Sequence, residues 1–219
     1  MSSESDGDLA GPRFGPDAGT TTLRLRDGAE LCVRAIRASD RDALAAGFAA
    51  MSDDSRYQRF LTPIHELTER QLDYLTELDH DSHEALIAFD PATGRFAGVA
   101  RFVRLADPAA AEAAVTVHDD WQGKGVGTAL CNMLSDRARE LGVERFTAVL
   151  LASNRSMLDV LSSLGPAHVI SSEGSTIEVE VALPEQGLGD HMRGVLRVMA
   201  GGTVELATPP WGLRTDRGR

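Results

Sequence analysis

Cysteine is scarce in this sequence. The two present, Cys32 and Cys131, are far apart and each lies in an apolar run. That excludes a disulfide framework and a cysteine-rich zinc site, and no metal is expected. Free thiols in a reducing cytoplasm are the simplest reading. Basic residues are also short: 22 Lys and Arg stand against 33 Asp and Glu, a net charge of -11. A general nucleic-acid binder needs a basic face to neutralise phosphates, so that class is excluded. No apolar run approaches the roughly 20 residues that span a bilayer, so no membrane partner is expected. The N-terminus has no basic-then-apolar signal pattern.

What is there suits one compact domain with tails: 219 residues, 42% hydrophobic and 25% charged. Residues 1–20 read as a disordered leader, residues 21–184 as the folded domain, and residues 185–219 as a tail, partly helical or loose. The run TLRLRDGAELCVRAI reads as a hairpin turning at Asp27-Gly28. A helix is expected from Ser39, with the sequence SDRDALAAGFAAM, and a second over 68–78. EALIAFD, RFAGVARFVRL and AEAAVTVH read as strands. The clearest helix covers 128–141, where Leu130, Met133, Leu134, Ala138 and Leu141 share a face. RFTAVLLA is a strand, 154–164 a helix, and two strands follow around 168–171 and 176–183. This order predicts an α/β fold with a sheet of mixed direction.

The stretch HDDWQGKGVGTAL sets glycines and a lysine between a strand and a helix. Bare amides at a helix N-terminus form an anion site, and glycine lets an anion approach the backbone. The Walker and dinucleotide-binding spacings are both absent. A phosphate-holding loop and a plain tight turn therefore both remain open on spacing alone.

The segment Gln122-Gly123-Lys124-Gly125-Val126-Gly127 matches the Q/R-x-x-G-x-G/A pattern of the GNAT superfamily of N-acyltransferases. With AEAAVTVH before it, SRYQRFL at 55–61 and ARFVR at 100–104, the chain resembles the Pat-type bacterial protein lysine acetyltransferases. The resemblance implies a mixed, mostly antiparallel sheet flanked by about four helices, with acetyl-CoA at the loop between the fourth strand and the third helix. It implies that Val115, Thr116, Val117, Gln122, Gly123, Lys124, Gly125, Val126, Gly127, Thr128 and Asn154 hold the donor. It also implies a protein substrate presenting a lysine, acyl-CoA synthetases among the candidates. Such domains are often fused to a regulatory module. Only about twenty residues precede the first strand here, so a catalytic domain alone is expected.

Acetyl transfer needs a neutral amine. A lysine of pKa about 10.4 is neutral in roughly one molecule in a thousand near pH 7, a barrier of about 4 kcal/mol. A positioned base removes that proton. Glu112 and His118 lie on one strand about 20 Å apart. They cannot serve the same proton. His118 adjoins the glycine loop and Glu112 lies back along the strand, where the thioester would reach. The resemblance also points to Glu112 as the catalytic base, which is expected to be partly desolvated. Asn154 either caps a helix or holds the pantetheine arm, or both. Seven residues on, where many GNAT enzymes carry a tyrosine acid, stands Leu161, so the general acid is unassigned. Tyr57, Arg59, Phe60 and His83 are candidates for the acceptor side. Two other functions stay open: acetylation of a small-molecule amine, and acyl-CoA sensing without turnover. The oligomeric state is also left open.

Overall fold

The structure, a computed structural model, describes residues 19–183. The expected leader and C-terminal tail lie outside them, apart from the last two residues of the leader. The chain opens with a hairpin of β1 (Thr21–Arg24) and β2 (Glu30–Ala35). Its turn is closed where Asp27 accepts from the Ala29 N–H at 3.1 Å. Three helices follow: α1 (Arg41–Ala49), α2 (Asp53–Phe60) and α3 (Glu69–Thr76). Then come β3 (His83–Phe89), β4 (Phe96–Arg104) and β5 (Ala110–Val117), leading into α4 (Val126–Glu140). The chain continues through β6 (Arg145–Leu151), α5 (Arg155–Ser162), β7 (Ala167–Glu173) and β8 (Thr176–Ala182).

The eight strands form one sheet in the order β1-β2-β3-β4-β5-β6-β8-β7. Every pairing is antiparallel except that of β5 with β6. The central strands β3 and β4 are buried on both faces, which explains their near-continuous apolar sequences. On one face Leu86, Ala100, Phe102 and Ala113 pack under α4 and α5, against Leu130, Leu134 and Leu161. On the other, Ile87, Phe96 and Val99 meet Leu44 of α1 and Leu72 and Leu75 of α3.

The mixed, mostly antiparallel sheet is the one expected, and five α-helices flank it where about four were expected. The additional one is α2, whose sequence DDSRYQRF shows no apolar stripe and buries no residue fully. The first helix begins later than expected. Asp40 accepts from both terminal guanidinium nitrogens of Arg34 at 2.6 Å and from the Arg37 N–H at 2.8 Å, so residues 38–40 close as a 3-10 turn. Conversely, α4 begins two residues early, directly out of the glycine loop. At its far end, Arg137 reaches the fully buried Glu84 of β3 at 3.1 Å. Glu84 also takes His80 Nδ1 at 2.7 Å and the Ala85 N–H at 2.9 Å. A buried carboxylate so fully satisfied fixes the α4 register on the sheet. Burial pushes the Cys131 thiol up to about 12, so it acts as a small apolar group. No helix of the described residues is long and apolar enough to cross a membrane.

Gly47 shows how tightly α1 sits on the sheet. A Cβ there would lie 2.5 Å from the Phe96 ring. On helix propensity alone Gly→Ala should stabilise by about 1 kcal/mol. Overpacking of a filled core works against this by about 1–3 kcal/mol. Gly47→Ala is therefore expected to destabilise, seen as a lower urea midpoint at unchanged slope. A raised midpoint would show that Phe96 moves aside freely.

Candidate functional site

The site begins where two neighbouring strands separate. β5 and β6 pair in parallel only at Ala110–Arg145, Ala111–Phe146 and Glu112–Thr147. Beyond this, β5 stays with β4 up to Val117, and β6 stays with β8 up to Leu151. The sheet thus opens into a wedge. Alternation along β5 turns even residues to β4, as the His118 N–H to Ala97 carbonyl bond at 2.9 Å continues. The C=O of Ala113 and the N–H and C=O of Val115 accordingly face the gap, beyond the last pair of the seam. A cavity of about 800 Å³ fills it, lined by Glu112–Val117, the glycine loop, Ala148–Leu150 and the start of α5.

The glycine loop closes the wide end. Gly123 and Gly125 have φ of 72° and 88°, a left-handed conformation that side chains resist. That pair of turns brings the chain into α4 at Val126 with no side-chain cap and no acidic residue in its first turn. By contrast Ser52, Thr68 and Asn154 cap α2, α3 and α5. The first amides of α4 are thus left for an anion. In chain order this loop joins the fifth strand to the fourth helix, not the fourth to the third. The hairpin supplies two strands and α2 adds a helix.

The remaining candidates for the donor side divide. Gly123, Gly125, Val126, Gly127 and Thr128 line the cavity, as do Thr116 and Asn154. Val115 and Val117 turn their side chains toward Gly127 and pack on the core, so only their backbone serves the gap. Gln122 lines it too, but its amide is used within the protein. It donates to Ser55 Oγ at 2.9 Å and to the Val117 carbonyl at 3.1 Å. Lys124 is not among the lining residues. Its ammonium sits 3.8 Å from Asp27 of the hairpin turn and 4.9 Å over the Trp121 ring. Asn154 Oδ1 accepts from the Met157 N–H at 3.0 Å, which leaves its NH₂ for a ligand. Leu161 is buried in the core.

Glu112 stands at the apex of the wedge, exposed, so the partial desolvation expected of a base is not supplied by the protein alone. The strand between Glu112 and Val117 is about 17 Å long. His118 is buried and does not line the cavity. Its Nδ1 accepts from the Asp120 N–H at 3.2 Å, capping the 3-10 turn at Asp119–Trp121.

On the acceptor side, Arg59 and Phe60 line the cavity, whereas Tyr57 is exposed outside it. Burial lowers the pKa of Arg59, against the opposing pull of the Glu112 charge. His83 is buried behind the site. Its ring lies 4.9 Å from that of Tyr74, and its Nε2 is 3.2 Å from Arg101. Burial, then the Arg101 charge, holds His83 down at about 4. It is neutral near pH 7 and its Nε2 accepts from Arg101.

Three arginines of the site escaped the sequence reading. Arg26 and Arg155 line the cavity, and Arg101 is buried and shares a smaller pocket with Arg59. Nothing in a single chain separates them from the other arginines. Equally hidden is the clamp on α2. Asp119, next to the loop, accepts from the Ser52 N–H and Oγ at 2.8 Å each and from Ser55 Oγ at 2.6 Å. Burial opposes its charge, but these bonds outweigh it and hold the carboxyl below its ordinary range.

A model of the acetyltransferase (GNAT) family matches residues 48–165. Acetyltransferase Pat of Mycolicibacterium smegmatis is 32% identical over 163 residues, which are 74% of this chain and 48% of that protein. The chain thus spans about half the length of that relative. Acetyltransferase PA5475 of Pseudomonas aeruginosa is 33% identical over 143 residues, 64% of this chain and 77% of the relative. The crystal structure of the GNAT domain of S. lividans PAT superposes with a TM-score of 0.70 at 31% identity. It covers 75% of this chain and 97% of that one.

The Asp119 clamp generates a test. Asp119→Ala leaves the Ser52 and Ser55 donors without their carboxylate, a loss of about 1–3 kcal/mol. Hydrogen exchange in α2 should accelerate by tenfold or more, with the interior of α4 unchanged. Equal protection of α2 in both proteins would mean that packing, not Asp119, holds it.

Proposed function

Since this chain belongs to the GNAT acetyltransferase family, we propose that it transfers acetyl from acetyl-CoA to the side-chain amine of a protein lysine, with Glu112 as base. The wedge between β5 and β6 carries this reading. It has an uncapped helix start at one end, a free strand edge along its length and an exposed carboxylate at its apex. The residues present suit the donor. The amides of Gly125 to Thr128, with Arg26 and Arg155 of the same cavity, would take its phosphates. Ala113 and Val115 offer strand-like hydrogen bonds to the amides of an extended arm.

The donor supplies an electrophilic thioester carbon. The ammonium first gives one proton to solvent, and the neutral amine nitrogen then forms its bond there while Glu112 takes the second proton that the nitrogen must shed. The carbon–sulfur bond breaks, and the CoA thiolate leaves with solvent as its proton source, since Leu161 offers none. The exposed apex favours a lysine on a protein surface over a small enclosed amine. The Pat-type relatives support the same choice, with acyl-CoA synthetases as acceptors to try. A small amine remains the second reading, because the cavity of about 800 Å³ could enclose one. Acyl-CoA sensing without turnover is disfavoured by the intact Glu112.

Two expected outcomes test the proposal. Gly125→Val places a β-branched residue at φ 88° and fills the anion approach. Calorimetric affinity for acetyl-CoA should fall tenfold or more, alongside a stability loss of about 1–2 kcal/mol. Unchanged affinity would move the donor site elsewhere.

Glu112→Gln keeps size and polarity but removes the base. Acetyl-CoA should bind as before, and turnover should drop about 10²–10⁴-fold. His118→Gln, buried away from the cavity, should change turnover far less. Normal turnover by Glu112→Gln would remove the carboxylate from the mechanism. A purified synthetase left unlabelled where a polyamine is labelled would replace the protein acceptor with the small amine.

A further inference from the structure

Two guanidinium groups near the proposed base lack the partner that every comparable arginine has. Among the described residues, each other arginine that is not exposed has a carboxylate within 4 Å. These range from Arg34 with Asp40 to Arg145 with Asp107. Arg59 and Arg101 have none. The chain has an excess of acidic residues, so shortage of carboxylates is not the reason.

Arg101 is 5% exposed. It donates to His83 Nε2 and to the Leu75 carbonyl, both at 3.2 Å, and both partners are neutral. Burial, and then the Arg59 charge, hold it down at about 9, so it remains charged near pH 7. Arg59 makes no ion pair and lies over the Phe60 ring at 4.9 Å. The two arginines share a cavity of about 30 Å³, room for about one water. That cavity adjoins the main cleft, which Arg59, Phe60 and Thr116 also line. Desolvated charge without a counterion is unfavourable. Glu112 is the carboxylate whose field reaches Arg59, and it stands at the apex where the amine must arrive.

We propose that the acceptor brings the missing counterion: a carboxylate close to its reactive amine, received by Arg59 and favoured by Arg101 behind it. Glu112 and Arg59 then face an ammonium and a carboxylate as a matching pair. The small cavity admits no ligand group, so Arg59 makes the contact and Arg101 positions it and adds charge. This inference rests on the acetyl-transfer reading above. Two sources share the chemistry: an acidic side chain beside the target lysine, and the own carboxylate of a small amino acid.

The test uses the full chain with acetyl-CoA and two pairs of acceptors. One pair is a lysine peptide with aspartate or asparagine beside the lysine. The other is 5-aminopentanoate and its amide. Within at least one pair, kcat/KM for the carboxylate form should exceed the neutral form by tenfold or more, mainly through KM. The pair that discriminates names the source. In Arg59→Met the ratio should fall to within twofold, and Arg59→Lys should restore part of it. Arg101→Met should narrow it a few-fold, again in KM. A ratio near one in both pairs, with turnover intact, overturns the carboxylate and leaves the acetyl-transfer reading standing. A persistent tenfold ratio in both Arg59 variants also overturns it. No turnover with any amine, together with no acetyl-CoA binding by calorimetry, overturns the reading on which it rests.

Discussion

The separation of β5 from β6 after three paired residues determines the rest of this structure. A strand that leaves its neighbour exposes peptide groups that must find other partners. Here β5 keeps β4 on one side and turns the Ala113 carbonyl and the Val115 peptide groups to open space on the other. The same departure makes room for a cavity inside the sheet's own plane. It also sets Glu112 at the last paired position, where strand geometry is still fixed on both sides. The glycine loop is the complement at the wide end, where β5 stops and α4 starts.

Much of this frame was legible in the sequence. The alternation of β2, the double-sided apolar runs of β3 and β4, and the Asp27-Gly28 turn all follow from local pattern. The glycine loop was legible for a physical reason as well. Two residues at positive φ before an uncapped helix leave few alternatives to glycine. Family resemblance added the acetyltransferase reading, which the comparisons support at the level of the family.

What the sequence concealed depends on distant partners. α2 has no apolar stripe, because Asp119 and Gln122, more than sixty residues away, hold its serines. Lys124 looked like a phosphate ligand by position, yet its charge is turned to Asp27 and Trp121. His83 was a candidate for the acceptor side, yet β3 buries it against Tyr74 of α3. Arg101 reads as an ordinary strand residue until its neighbours are known to be neutral. The divergence of β5 and β6 has no local signature, since both segments are good strands to their ends.

The short parallel seam also has a mechanical meaning. Two plates of sheet pair along one narrow edge, so a relative tilt would turn about an axis through Ala110–Glu112 and Arg145–Thr147, against the brace of the core that α4 and α5 pack across both plates. Any widening or closing of the wedge sweeps the glycine loop through the largest arc. Glu112 lies on the axis and is displaced least. The edges of the wedge can part while the Glu112 carboxylate keeps its aim.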